Sequence, residues 1–372
     1  MHRKFVALIL TALVLLIASG VVSAESSAQE PQYAKGKILS MEYLPDAGFE
    51  GSLGFGAEAY HVVVEIVSGP FKGHIAETQH FITGTPAYDI HISAGDRVLL
   101  AIETVAGEVS EVYVADNERD RSLLWFTLLF VLVLAGFGGV KGLKSLLSLV
   151  IIGVMIIWFF IPMLLAGNDP ILLAVIVSAV ATAFTITLVG GLNGKSAAAI
   201  AGTVGGVLTA GLLAIAAGGM ARLTGLSSQE AQMLVYIPQA TDFDFRGLLM
   251  AGIIIGALGA VMDVGMSIAS AISEVHKADP GASVKRLFWS GMNVGRDVMG
   301  TMANTLILAY TGSSLSLLLL VRAYDIDMIR LMNMDSISSE VIRALAGSMG
   351  LIAAIPVTAL LAALFHAKSR PL

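Results

Sequence analysis

The chain has 372 residues, of which 56% are hydrophobic and only 13% charged, with 39 glycines and a formal net charge of -6. Soluble domains average about 25% charged residues, so this composition excludes an ordinary water-soluble fold and predicts an integral membrane protein. Cysteine is absent, which excludes disulfides, thiolate metal sites, iron–sulfur ligation and cysteine nucleophiles together.

A bilayer crossing takes roughly 20 mostly apolar residues. Eight stretches meet that requirement: 5–23, 122–140, 145–166, 171–191, 197–219, 247–270, 300–321 and 344–366. Apolar runs of this length do not arise from alternating strands, so the membrane part is helical. The first stretch has two readings. His2-Arg3-Lys4, a short apolar core and Val22-Ser23-Ala24 suit a first transmembrane helix or a signal peptide cleaved after Ala24. The expected fold is therefore an α-helical polytopic membrane protein with seven or eight transmembrane helices. Basic residues orient it. With the N-terminus inside, Arg3, Lys4, Lys141, Lys144, Lys195, Lys277, Lys285, Arg286, Arg296, Lys368 and Arg370 fall on the cytoplasmic side. The smaller group of Arg222, Arg246, Arg322, Arg330 and Arg343 falls outside.

After the leader (1–24), residues 25–118 read as an extracytoplasmic domain. Short runs of β character, from Gly36, Tyr60, Gly73, Asp96 and Glu108, are punctuated by Gly69-Pro70, Gly84, Gly95-Asp96 and Gly107. They suggest a small closed or nearly closed barrel, OB-like as one form. The domain lacks the basic, aromatic-interleaved surface of a nucleic-acid binder. His74, His80 and His91 are candidates to meet at a metal, but without tight ligand spacing, scattered surface histidines are the favoured reading. Asp116 to Arg121 form a charged collar that marks the water interface.

Residues 119–372 hold the remaining helices, and tight turns at 140–144, 167–170 and 192–195 make the first of them consecutive hairpins. Gly202 with Gly206, and Gly252 with Gly256, are small residues four apart that let helix backbones approach. Ser227 and Glu230 have capping-box spacing ahead of a short helix. Pro162 and Pro356 predict local kinks.

Two polar stripes then stand out. Asp263, Ser267, Ser270 and Glu274 share one helical face, and Asn293, Asp297, Thr301 and Asn304 share a face of the next helix, which Ser283 would cap. Arg296 lies about 100° from Asp297 around that helix. Ionisable groups in a membrane are costly and usually face a protein interior or a watery path. One reading is a cavity entered from the cytoplasm, in which Asp263 and Asp297 bind or relay a cation or proton. Arg296 would set the charge balance, and Asn293, Asn304, Thr301 and Ser267 would supply hydrogen bonds. The competing reading is a salt bridge of Asp263 with Arg296 that locks two helices. Glycines at 291, 295 and 300 suggest a broken or re-entrant second helix. Arg343 reads as an interfacial anchor.

No enzymatic signature is present: no H-E-x-x-H, no Walker A loop and no G-x-S-x-G elbow. An intramembrane aspartyl dyad is disfavoured, since Val294-Gly295-Arg296-Asp297 departs from Gly-x-Gly-Asp and the adjacent arginine opposes a shared proton.

The runs from Phe245 through Val264 and Ser267 to Ser270, from Gly291 to Thr305 (GMNVGRDVMGTMANT), and from Arg343 to Ser348 resemble the YibE/F-like family of bacterial multispanning membrane proteins. The resemblance covers about residues 120–366 and implies a bacterial cytoplasmic-membrane protein, with no substrate or catalytic residue to carry over. The expectation from sequence is thus a non-enzymatic permease or channel for a small solute or ion. It needs no cofactor or metal, takes the lipid bilayer as its environment and has a homo-oligomer or another membrane protein as partner. The alternative is a scaffold or sensor whose outer domain binds a partner.

Overall fold

The computed structural model describes residues 31–45, 58–105, 107–237 and 243–368. The segment 1–24, with its two readings as signal peptide or first span, lies outside them. The chain forms two compact units that divide between Val133 and Leu134.

The first unit contains β1 (Gln32–Tyr43), β2 (Glu58–Ile66), β3 (Ile75–Ile82), β4 (Arg97–Val105) and β5 (Glu108–Asn117). They form one antiparallel sheet in the order β3-β2-β1-β4-β5. Its two edge strands, β3 and β5, come together, so the sheet is nearly closed. Side chains alternate across a strand with period two. Val62, Val64 and Ile66 of β2 accordingly meet Val98, Leu100 and Ile102 of β4 in the core. Gly36 sits where β1 is paired on both sides, and a Cβ there would lie 2.7 Å from Leu100 Cγ, so only glycine fits.

The charged collar does more than mark an interface. Lys35 on β1 pairs with Glu118 (3.2 Å) and with Asp120, and Arg97 on β4 reaches Glu118 at 3.6 Å. Asp120 opens the first helix, α1 (Asp120–Met155), so the collar ties the helix start to two strands. His80 is buried, with its Nε2 2.7 Å from the Ile90 carbonyl. No group of three or more acidic or histidine side chains among the described residues is arranged to hold a metal.

The helices that follow are α2 (Ile161–Leu165), α3 (Pro170–Gly190), α4 (Gly194–Met220), the short α5 (Gln229–Met233), α6 (Phe245–Ala278), α7 (Val284–Ser313), α8 (Leu315–Ala323), the short α9 (Met328–Met332) and α10 (Asp335–Lys368). Their starts follow capping chemistry: Asp169, Asn193, Asp244 and Ser283 each accept a backbone N–H from the first turn. The short helix is capped by Ser228, one residue beyond the expected Ser227.

The expected count of seven or eight transmembrane helices is not reproduced. Among the described residues five helices are long and apolar enough to cross a membrane, or six if α7 and α8 form one bent span. The difference has two sources besides the leader. The stretches 122–140 and 145–166 fall in one element of 46 residues, Asp120–Leu165. That element is broken at Gly139, whose φ of 51° and ψ of -132° are not helical, and the backbone of Gly142 returns against the Leu134 carbonyl. The stretch 300–321 straddles a 60° bend between α7 and α8. A π-turn, Ile156–Phe160, precedes Pro162, whereas α10 runs unbroken through Pro356.

In the bundle, α4 and α10 touch backbone to backbone. A Cβ on Gly206 would lie 2.7 Å from the Gly350 carbonyl oxygen, and one on Gly350 would lie 2.6 Å from that of Gly206. Helix α6 packs against α3, α4, α7 and α10 and buries Ile253, Ile254, Val261, Val264 and Ile268 completely.

Candidate polar face on α6 and α7

Helix α7 is not broken at its glycines; it runs without interruption for 30 residues. Gly291 and Gly295 are packing positions instead. A Cβ at Gly291 would meet Ile272 Cδ1 at 2.5 Å and Ala359 at 3.1 Å, and one at Gly295 would meet Ile268 at 3.3 Å. Removing those side chains lets α7 settle into the groove between α6 and α10. The chain turns only at Ser314, whose φ of -95° and ψ of 11° leave the helical region.

Seating α7 on its glycine side directs its polar residues away from the bundle. Asn293, Arg296, Asp297, Thr301 and Asn304 are all exposed, while Leu287, Gly291, Gly295 and Leu306 are buried. The same division holds on α6: Gly252, Gly256, Gly259, Asp263, Ser267 and Glu274 are exposed in steps of three and four, with Ser270 half-buried between them. The two stripes belong to adjacent, antiparallel helices joined through residues 279–283. At 1.5 Å per residue, Asp263 lies roughly 22 Å above that turn and Asp297 roughly 20 Å, so the two carboxylates stand at about the same height.

The structure places the residues expected from sequence on two neighbouring helices, with the two carboxylates at about one level. Among the described residues it does not enclose them. Nor does it form the alternative lock: among the described residues no ion pair joins Arg296 to Asp263 or Asp297. The Arg296 guanidinium lies over the Trp289 ring, 5.5 Å from its centroid, an arrangement that favours a cation. The Thr301 hydroxyl donates to the Val298 carbonyl of its own helix (3.0 Å). Two carboxylates at similar depth, with carboxamides and hydroxyls spaced above and below them along the helices, can coordinate a cation, exchange a proton or hydrogen-bond a polar solute.

A second group was missed from sequence. Tyr310 Oη, Glu340 Oε2, Arg343 Nε and Ser348 Oγ are buried without hydrogen-bond partners. They lie where α7 and α10 meet: a Cβ at Gly256 would stand 3.1 Å from Tyr310 Oη and one at Gly347 4.0 Å from it. Arg343 pairs with Glu340 at 3.2 Å, so it is more than an interfacial anchor. Tyr310 and Glu340 also line an apolar cavity of about 250 Å³ with Ile307, Leu318 and Val341. The i, i+3 spacing of Glu340 and Arg343 was the available signal, but their depth beside Tyr310 depends on how α7 crosses α10.

Five helices long and apolar enough to cross a membrane, among the described residues, and small-residue crossings between helices are compatible with a helical membrane protein. The chain belongs to the YibE/F-like protein family, whose profile matches residues 126–368, the whole of the bundle from the second turn of α1 to the end of α10. No curated protein and no solved structure matches it.

Proposed function

We propose that this protein is a multi-pass permease or channel of the bacterial cytoplasmic membrane that moves a small solute or ion along the α6–α7 polar face. In this reading Asp263 and Asp297 coordinate or relay the charge and Arg296 balances it. Asn293, Asn304, Thr301 and Ser267 supply hydrogen bonds. The β-rich unit, OB-like in this reading, stands outside the cell and the C-terminus lies in the cytoplasm. The observation that carries the reading is that two carboxylates stand at about the same height on exposed faces of two adjacent helices, of which α6 is by itself long and apolar enough to cross a membrane. Such groups are expensive to leave facing hydrocarbon, by about 2.5–3.5 kcal/mol for an Asp at the centre of a helix.

The test is flux in sealed proteoliposomes under gradients of H⁺, Na⁺, K⁺ and divalent cations, with wild type beside folded Asp263→Asn and Asp297→Asn. Flux in wild type that is lost in both variants is the expected result. Equal stability of all three with no flux under any gradient overturns ion transport.

A second reading, a sensor or scaffold, is favoured by one feature of the outer unit. A polar groove of about 640 Å³ opens between β3 and β5, where His61 pairs with Glu77 at 3.3 Å and Glu111 and Tyr113 line the other side. An extended segment of a partner could add there as a strand.

A further inference from the structure

We infer that the exposed α6–α7 face is covered by a second copy of this chain, so that the polar site is shared between protomers and incomplete in one of them. The inference deepens the transport reading and rests on it only for what passes along the shared site.

Among the described residues nothing lies within 4 Å of a Cβ built on Gly252, Gly259 or Gly300. In the same bundle, every glycine at the α4–α10 crossing named above has a neighbouring helix against it. Glycines along a helix side offer lipid tails nothing and cost helix stability, roughly 0.5–1 kcal/mol each relative to alanine. Their use is to let another helix approach. Below them on the same side of α6 come Asp263, Ser267 and Glu274, and beside them on α7 come Asn293, Arg296, Asp297 and Asn304. Polar side chains facing lipid are costly, whereas across a helix–helix contact they hydrogen-bond.

Charge selects the occupant. A copy related by an axis along the membrane normal presents the same residues at the same depth. The face carries both signs there: Asp263 and Asp297 as acceptors, Arg296 as donor, with Asn293 and Asn304 supplying both roles. A face of this kind is complementary to itself, as a two-fold contact requires. It also gives the carboxylates what the described residues of one chain do not, an opposing wall at the level of Asp263 and Asp297.

The absence of native cysteine makes the test direct. Single variants Gly259→Cys, Ser267→Cys and Thr301→Cys, with Leu212→Cys on the exposed side of α4 as control, are oxidised in native membranes and run without reductant. A disulfide needs the two Cβ atoms within about 4.5 Å, so only positions at a contact between copies will close. The expected result is a band at twice the monomer mass for Gly259→Cys or Ser267→Cys, or for a mixture of Ser267→Cys and Thr301→Cys protomers, and monomer for Leu212→Cys. Monomer at every position, confirmed as a single chain by native mass spectrometry of the wild type, overturns the inference. So does a cross-linked product whose mass shows a different protein. The outcome is separable from flux: cross-linking without flux keeps the shared face and removes transport, and flux without cross-linking assigns the path to one protomer.

Discussion

Two pairs of glycines four residues apart, Gly202 with Gly206 and Gly252 with Gly256, look alike in sequence and are packed in opposite ways. The first pair is pressed against α10, with Gly206 close to the Gly350 carbonyl and a Cβ on Gly202 only 2.8 Å from Thr358 Cβ. The second pair faces outward: Gly252 has open space, and Gly256 has only the Tyr310 hydroxyl at 3.1 Å. A small-residue pair therefore marks a place where a helix can be approached without saying by what. On α4 the approaching helix belongs to the same chain, and on α6 the described residues supply only the Tyr310 side chain of α7.

The largest expected effect separates these two sides. Gly206→Leu forces a side chain into the Gly350 backbone and Ala354, and overpacking of this kind costs about 1–3 kcal/mol or more. A Cβ at Gly252 meets none of the described residues, so within one protomer Gly252→Leu is a surface change that stays within about 0.5 kcal/mol. Thermal unfolding of the protein dissociated to monomer in detergent should show a clear fall in Tm for the first and almost none for the second. Equal destabilisation would mean that α6 is covered within the protomer and would remove the contrast.

The contrast also shows what the sequence could and could not convey. Helical spacing identified the polar faces of α6 and α7, because periodicity is a local property. The glycines of α7 were read as interruptions, since a glycine that breaks a helix and one that seats it are identical until its neighbour is known. Ile272, Ile268 and Ala359, which occupy the space at Gly291 and Gly295, are distant in sequence or on another helix. The same limit hid the Tyr310–Glu340–Arg343–Ser348 group, which exists only through the crossing of α7 and α10. The span count differs for a related reason: a hydropathy window registers apolar length, not the bend at Ser314, whereas the break at Gly139 falls beside the turn expected at 140–144. The strands were legible because their turns carry glycines at positive φ, Gly69, Gly84, Gly95 and Gly107 among them.

A smaller effect is expected in the β-rich unit, where cohesion depends on strands and an ionic collar rather than on helix contact. Glu118 has a nearly buried carboxylate shared by Lys35 and Arg97, both of which are substantially exposed. Discounted for that exposure, Glu118→Ala should cost about 1 kcal/mol. The loss should appear in amide exchange at the β1 and β4 ends flanking the collar and leave α4, α6 and α10 unchanged. Loss of protection in the bundle as well would show that the two units unfold together.

The smallest effect is a pH dependence confined to one loop. Partial desolvation pushes the Asp89 carboxyl upward. The Thr83 N–H (2.6 Å) and hydroxyl (2.8 Å) donate to it and prevail, so its pKa lies below the ordinary value. A carboxyl whose folded pKa is depressed contributes stability that is present above the unfolded value, about 3.9, and is lost as pH falls through the lower folded value. Acidification below pH ~4 should therefore loosen the 83–89 loop, seen as faster exchange at the Thr83 amide after correction for intrinsic rates. Asp89→Asn should remove that dependence, because its amide oxygen still accepts from Thr83 but does not titrate. A loop that remains protected in acid would mean that the turn at Thr85–Asp89, with its own backbone hydrogen bonds of 2.9 and 3.1 Å, holds without the carboxylate.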